Sequence, residues 1–208
     1  MTFTSFAAWI SAAITFGTII MFGSIGEILT EKSGNLNLGV PGIMYLGGIG
    51  ALAGAYLYES TAAAPVAAIS ALIAVVCALA ASMLGGLIYC FLTVTLRANQ
   101  NVTGLTLTIF GSGIANFFGG SLVKLSGGVG QISVAGASSV IRTQIPWLSS
   151  ASGNISTIFF SYGLLAYLAL AIAFFTQYFL SRTRIGLNLR AVGENPATAD
   201  AAGINVTR

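Results

Sequence analysis

Charged residues are so sparse along this chain that they divide it into long apolar runs. The first run, about Phe3–Ile25, ends near Glu27, Glu31 and Lys32, and the second, about Leu38–Tyr58, ends at Glu59. The uncharged stretch Ser60–Leu96 is 37 residues long. A helix needs about 20 residues to span a hydrocarbon core of about 30 Å. The stretch is therefore too long for one crossing and slightly short for two with a turn. One helix from about Val66 to Thr93, preceded by a polar-side connection through Pro65, fits it best. Runs at about Val102–Val123 and about Ile158–Leu180 complete five predicted spans. The pattern predicts an all-α, polytopic transmembrane helix bundle over residues 1–181, followed by a polar segment over 182–208.

Composition sharpens that reading. Hydrophobic residues make up 56% of the chain, charged residues 6%, and the mean hydropathy is +0.91. A soluble domain would carry about a quarter charged residues. A net charge of +3 is too small to indicate a nucleic-acid partner, and the partner that composition does indicate is the lipid bilayer. With no His, five acidic residues and two separated Cys, neither a metal site nor a cofactor is expected. Cys77 and Cys90 are thirteen residues apart in one apolar run. In a continuous helix that is about 20 Å, whereas a disulfide needs Cα atoms within about 7 Å. The N-terminal run lacks a basic flank and is too long for a signal-peptide core, so a retained transmembrane helix is predicted.

The basic residues set an orientation. Five crossings with Arg182 onward in the cytoplasm place the N-terminus outside. Lys32, Arg97, Arg182, Arg184, Arg190 and Arg208 then fall inside, and only Lys124 and Arg142 outside. The external stretch Lys124–Thr157 is rich in Gly and Ser around Ile145-Pro146-Trp147-Leu148, where an interfacial segment and an ordinary linker both fit.

Three polar features interrupt the apolar pattern. Between the first two spans, Gly34, Gly39, Pro41 and Gly42 forbid a smooth helix. If this break lies at membrane depth, Asn35 and Asn37 offer amides to a polar solute; if it lies in water, it is a cytoplasmic turn. The fourth span carries Gly104, Thr108, Gly111, Ser112, Ala115, Asn116 and Gly119 on one helical face. Its small residues suit helix packing, while Thr108, Ser112 and Asn116 are candidates for a substrate path. In the second span, Gly47, Gly50, Ala51 and Gly54 suggest packing alone. The third feature is the terminal segment. Asn195 suits an N-cap, Pro196 the first helical position and Gly203 a left-handed terminator, which predicts a two-turn helix between them. Nothing catalytic emerges: there is no His, no Gly-rich phosphate loop with Lys and no acidic pair in a polar pocket, so an enzyme is not expected. Glu27 and Glu31 read as a solvated helix end.

Three separated motifs resemble a known family. They are Ser33-Gly34-Asn35-Leu36-Asn37-Leu38-Gly39 with Gly42-Ile43-Met44 and Gly47, then Leu96 to Leu105, and then Ile185-Gly186-Leu187, Arg190 to Pro196 and Ala201 to Ile204. Together they resemble the ABC-importer permeases for ribose, nucleosides and branched-chain amino acids, and lie closest to the nucleoside and simple-sugar branch. The first motif usually has Leu-Glu before the Gly corresponding to Gly42; Val40-Pro41 stands here, so any role of that acid is not carried over.

The resemblance implies the membrane-spanning permease subunit of a bacterial ABC importer in the plasma membrane, moving a small polar solute inward by alternating access. It implies that Arg190, Gly193, Glu194, Asn195, Pro196, Asp200 and Gly203 couple the subunit to ABC ATPase subunits. A second permease subunit, identical or not, and an extracytoplasmic substrate-binding protein are the other implied partners. Family members continue past this segment, so further spans are expected beyond residue 208. A branched-chain amino acid permease is the alternative within the family. Outside it, the alternative is a secondary transporter or membrane scaffold whose residues Arg182–Arg208 rest on anionic lipid.

Overall fold

The computed structural model describes residues 3–125, 127, 132–142 and 162–206. Among the described residues, five helices are long and apolar enough to cross a membrane: α1 (Phe3–Lys32), α2 (Val40–Thr61), α3 (Ala67–Cys90), α4 (Gln100–Leu125) and, after the short α5 (Ala135–Arg142), α6 (Leu164–Arg182). Two short helices follow, α7 (Arg184–Glu194) and α8 (Pro196–Ala201). The chain forms two compact units. One contains α1 and α6–α8, the other contains α2–α5, and the chain passes from the first to the second between Asn37 and Leu38.

In the α2–α5 unit, glycines let helix backbones meet. A Cβ on Gly42 would run into the carbonyl oxygen of Leu107, and one on Gly111 into that of Gly42, so α2 and α4 cross in direct backbone contact. Along another face of α2, Gly47 lies against Ser82, Gly50 against Ala81 and Gly54 against Cys77 of α3, the packing role expected of them. Cys77 and Cys90 are free thiols.

The core of this unit at the other end of α2 is small and tight. Ala55, Ala74 and Ala137 are buried together, with Ala51 and Val134 against them. The Glu59 carboxylate completes it by accepting the Ser70 hydroxyl at 2.5 Å and the N–H groups of Ala137 at 2.9 Å and Gly136 at 3.3 Å. An anion at the N-terminus of α5 satisfies donors that the helix leaves unpaired. Helix α5 itself was not predicted: it falls within the Gly- and Ser-rich stretch read as interfacial segment or linker. Trp147 and its neighbours in that stretch lie outside the described residues.

Helix α3 does not end where its α-helical pattern stops. A π-helical turn, Phe91–Thr95, carries it on, with Leu96 N–H donating to Phe91 O at 3.1 Å. Arg97 then takes φ +53, a left-handed conformation unusual outside glycine, and Ala98 N–H reaches back to Leu92 O at 3.0 Å. Asn99 opens α4, its Oδ1 accepting the N–H of Asn101 at 3.0 Å and of Val102 at 3.2 Å.

Two boundaries differ from the sequence reading. Helix α1 runs on from Ile25 through Glu27 and Glu31 to Lys32. Charge ends an apolar run without ending a helix, because the backbone ladder is indifferent to side-chain polarity. Pro41 and Gly42 lie within the first turn of α2 rather than in the break. Proline is tolerated there because the first helical N–H groups have no intrahelical partner. Helix α6 starts at Leu164, and residues 158–161 of the predicted span lie outside the described residues.

Candidate functional site

Main-chain and side-chain hydrogen bonds build the break between α1 and α2. Helix α1 closes with a Schellman arrangement: Gly34 N–H donates to Glu31 O at 3.0 Å and Asn35 N–H to Thr30 O at 3.0 Å. Gly34 sits at φ +90, the left-handed position this closure requires. The chain then turns so that the buried Asn37 donates its main-chain N–H to Glu27 Oε1 at 3.0 Å. Glu27 Oε2 also accepts the Thr30 hydroxyl at 3.3 Å. Glu27 is therefore not the freely solvated helix-end residue that the sequence suggested; it holds the break in shape.

The two asparagines proposed for a substrate path thus lie in one unit. Asn37 is buried and Asn35 is half-buried. The other three candidates lie in the second unit. Thr108 donates its hydroxyl to Leu38 O at 2.8 Å, and Gly104 packs so closely that a Cβ there would lie 2.8 Å from Leu38 N. Ser112 turns its hydroxyl back to Ile109 O at 2.9 Å, and Asn116 is exposed. Along α4 the stripe therefore divides: Gly104, Thr108 and Gly111 pack against the start of α2, and Asn116 does not.

A cavity of about 580 Å³ lies between α1 and α6, lined by Ile10, Ile14, Met21, Tyr162 and Leu170 among others. Its wall is almost entirely apolar, and none of the five path candidates lines it.

The polar end segment is a jointed pair of helices. Thr183 caps α7, its hydroxyl oxygen accepting Gly186 N–H at 3.0 Å while donating to Phe179 O at 2.7 Å. A Cβ on Gly186 would run into that same Phe179 carbonyl, so the corner with α6 needs glycine. Asn195 ends α7 and begins α8: its N–H reaches Ala191 O at 3.1 Å and its Oδ1 accepts Thr198 N–H at 3.1 Å. Pro196 occupies the first turn, and Gly203, at φ +82, closes α8 with Gly203 N–H on Asp200 O at 2.9 Å and Ile204 N–H on Ala199 O at 3.0 Å. This is the capped helix that the sequence predicts.

Helix α8 buries Ala199 and leaves Asn195, Pro196, Thr198 and Asp200 exposed. Glu194 is exposed and Gly193 half-buried. Arg190 is half-buried, and its Nε finds no hydrogen-bond partner among the described residues. Gly193 meets the end of α1. A Cβ there would run into Lys32 O and lie 2.9 Å from Gly34 N, while one on Gly34 would lie 3.1 Å from Gly193 Cα. The sequence reading named both glycines within motifs, but no local pattern announces that two residues so far apart in the chain touch.

Among the described residues, five apolar helices of spanning length, an interrupted connection and a capped polar helix pair define a multi-pass membrane protein. The chain belongs to the family described as the branched-chain amino acid transport system / permease component, whose sequence profile matches residues 9–208. It is 30% identical to the putative glucose ABC transporter permease protein TsgC13 of Haloferax volcanii, over 97% of this chain and 56% of that protein. It is also 30% identical to the nucleoside ABC transporter permease protein NupC of Lactococcus lactis, over 93% of this chain and 58% of that protein. The guanosine ABC transporter permease protein NupQ of Bacillus subtilis is 30% identical over 95% of this chain and 59% of its own length. The chain thus spans somewhat more than half the length of these curated relatives. No solved structure matches it significantly.

Proposed function

We propose that this chain is part of the membrane-spanning permease subunit of an ABC importer that carries a nucleoside or a simple sugar inward by alternating access. The observation that carries this reading is the jointed helix pair α7–α8. A helix as short as α8 is marginal alone, yet here it is capped at both ends and turns Asn195, Pro196, Thr198 and Asp200 outward. Such a rigid, exposed knob suits insertion into a groove on a partner, and the partner proposed is an ABC ATPase subunit.

The orientation that serves this mechanism puts residues 182–208 in the cytoplasm and the N-terminus outside. A second permease subunit and an extracytoplasmic binding protein complete the proposed assembly. The solute is argued from neutral polar side chains within each unit by itself, Asn35 and Asn37 in the break and Asn116, with the acceptor lone pairs of Thr108 and Ser112, along α4; these suit a hydroxyl-rich, uncharged molecule. Relatives named for guanosine, nucleosides and glucose support that choice over the amino acid in the family's description.

The reading is tested by purifying the complete subunit with an affinity tag. Co-purification of an ATPase whose hydrolysis is stimulated by a loaded binding protein is the expected result. A subunit that transports without any ATPase would contradict it.

A further inference from the structure

Gly193 and Glu27 each contact a different end of the break between α1 and α2. Gly193, at the end of α7, lies in backbone contact with Lys32 and Gly34, where α1 closes. Glu27, one helical turn inside α1, holds the main-chain N–H of Asn37 at 3.0 Å. All of these residues belong to one compact unit. A backbone-to-backbone contact carries no flexible side chain that could absorb a displacement, so a shift of α7 must move the Lys32–Gly34 turn or open the contact. The turn in turn cannot move freely, because its far end is tied to Glu27. Close-packed interfaces of this kind have discrete arrangements rather than a continuum.

We infer that Gly193 and Glu27 are positioning residues that link the α7–α8 segment to the break. Movement of the segment reaches Asn35 and Asn37 through the Gly193–Gly34 contact, and the Glu27–Asn37 hydrogen bond sets where the moved chain comes to rest. This rests on the coupling role proposed for α7–α8. It adds the route by which a partner's closure arrives at the polar amides of the break.

The test uses the complete transporter, reconstituted with its ATPase, with Cys77 and Cys90 replaced by Ala. A single cysteine is introduced at Leu36, which is exposed and lies between the two asparagines. Its labelling rate with a maleimide is compared without nucleotide and with ATP trapped by vanadate. The unmodified background is expected to show a clear difference between the two states. Glu27→Ala should reduce that difference about tenfold, the size of losing one hydrogen bond to a charged acceptor. Glu27→Gln, which keeps a neutral acceptor, should retain an intermediate difference. Gly193→Ala should remove the difference by forcing the turn and α7 apart. An Ala201→Pro arm breaks α8 and reports on the coupling role itself. If Ala201→Pro abolishes the nucleotide response while Glu27→Ala keeps all of it, the link proposed here is wrong and the coupling role stands. If Ala201→Pro also keeps the full response, the coupling role fails and the link with it.

Discussion

Glu59 Oε1 accepts the main-chain N–H of Ala137 at 2.9 Å, tying the end of α2 to the first turn of α5 across 78 residues of sequence. The same oxygen accepts the fully buried Ser70 hydroxyl, so one carboxylate joins α2, α3 and α5. Glu59→Ala should therefore loosen α5 by about 2 kcal/mol, the scale of orphaning buried donors. Glu59→Gln, which keeps one acceptor, should cost less. Hydrogen exchange at residues 135–142 in detergent is the measurement. Unchanged protection in Glu59→Ala would show that the alanine core holds α5 without it.

The α2–α4 crossing predicts a sharp contrast between two glycines of one helix. Gly42→Ala places a methyl group against the Leu107 carbonyl, so the two backbones must separate. A loss of about 1–3 kcal/mol, the usual range for overpacking, is expected. Gly48 has nothing within 4 Å of its absent Cβ. Gly48→Ala should be neutral, or stabilising by about 0.5–1 kcal/mol, as glycine leaves a helix interior. Thermal denaturation of the two variants side by side reads the difference, and equal midpoints would contradict the crossing.

The coupling role of α8 makes its own prediction. Ala201→Pro should disrupt the last turn, at about 3 kcal/mol in helix terms. Asn195→Ala removes the cap on Thr198 N–H and should cost about 1 kcal/mol. Both variants should insert normally while substrate-stimulated ATP hydrolysis in the complete complex weakens, more in the first than in the second. Full stimulation in Ala201→Pro would exclude the role.

Topology is read with single cysteines in a background lacking Cys77 and Cys90. Positions 33, 99 and 190 should be protected from a membrane-impermeant reagent in intact cells, and position 139 should be labelled. Labelling of position 190 from outside would invert the proposed orientation.

Much of this architecture is legible in the sequence because it is local. Five apolar runs give five helices, and Asn195, Pro196 and Gly203 announce α8 because caps act within a few residues. Gly47, Gly50 and Gly54 likewise state their packing role through helical spacing. What the sequence conceals is long-range. Glu27 and Glu59 look like ordinary charges at helix ends, and only the fold brings Asn37 and Ala137 to them. Helix α5 was missed because small, polar residues disfavour a helix in isolation, and Glu59, distant in sequence, supplies its cap. Helix α7 was not predicted as a helix either, since Gly186, Asn188 and Gly193 weaken its helical signal and its start depends on Thr183, whose hydroxyl bonds back to Phe179 O at the end of α6. The Gly193–Gly34 contact has no sequence signal beyond the presence of two glycines.

Uptake decides which solute the transporter carries. The complete transporter, with its ATPase and binding protein, is offered labelled nucleoside, ribose and leucine, each alone and in competition. Saturable, ATP-dependent nucleoside uptake is predicted, with excess unlabelled nucleoside inhibiting it and leucine without effect. Leucine transport with nucleoside inert would contradict the claim.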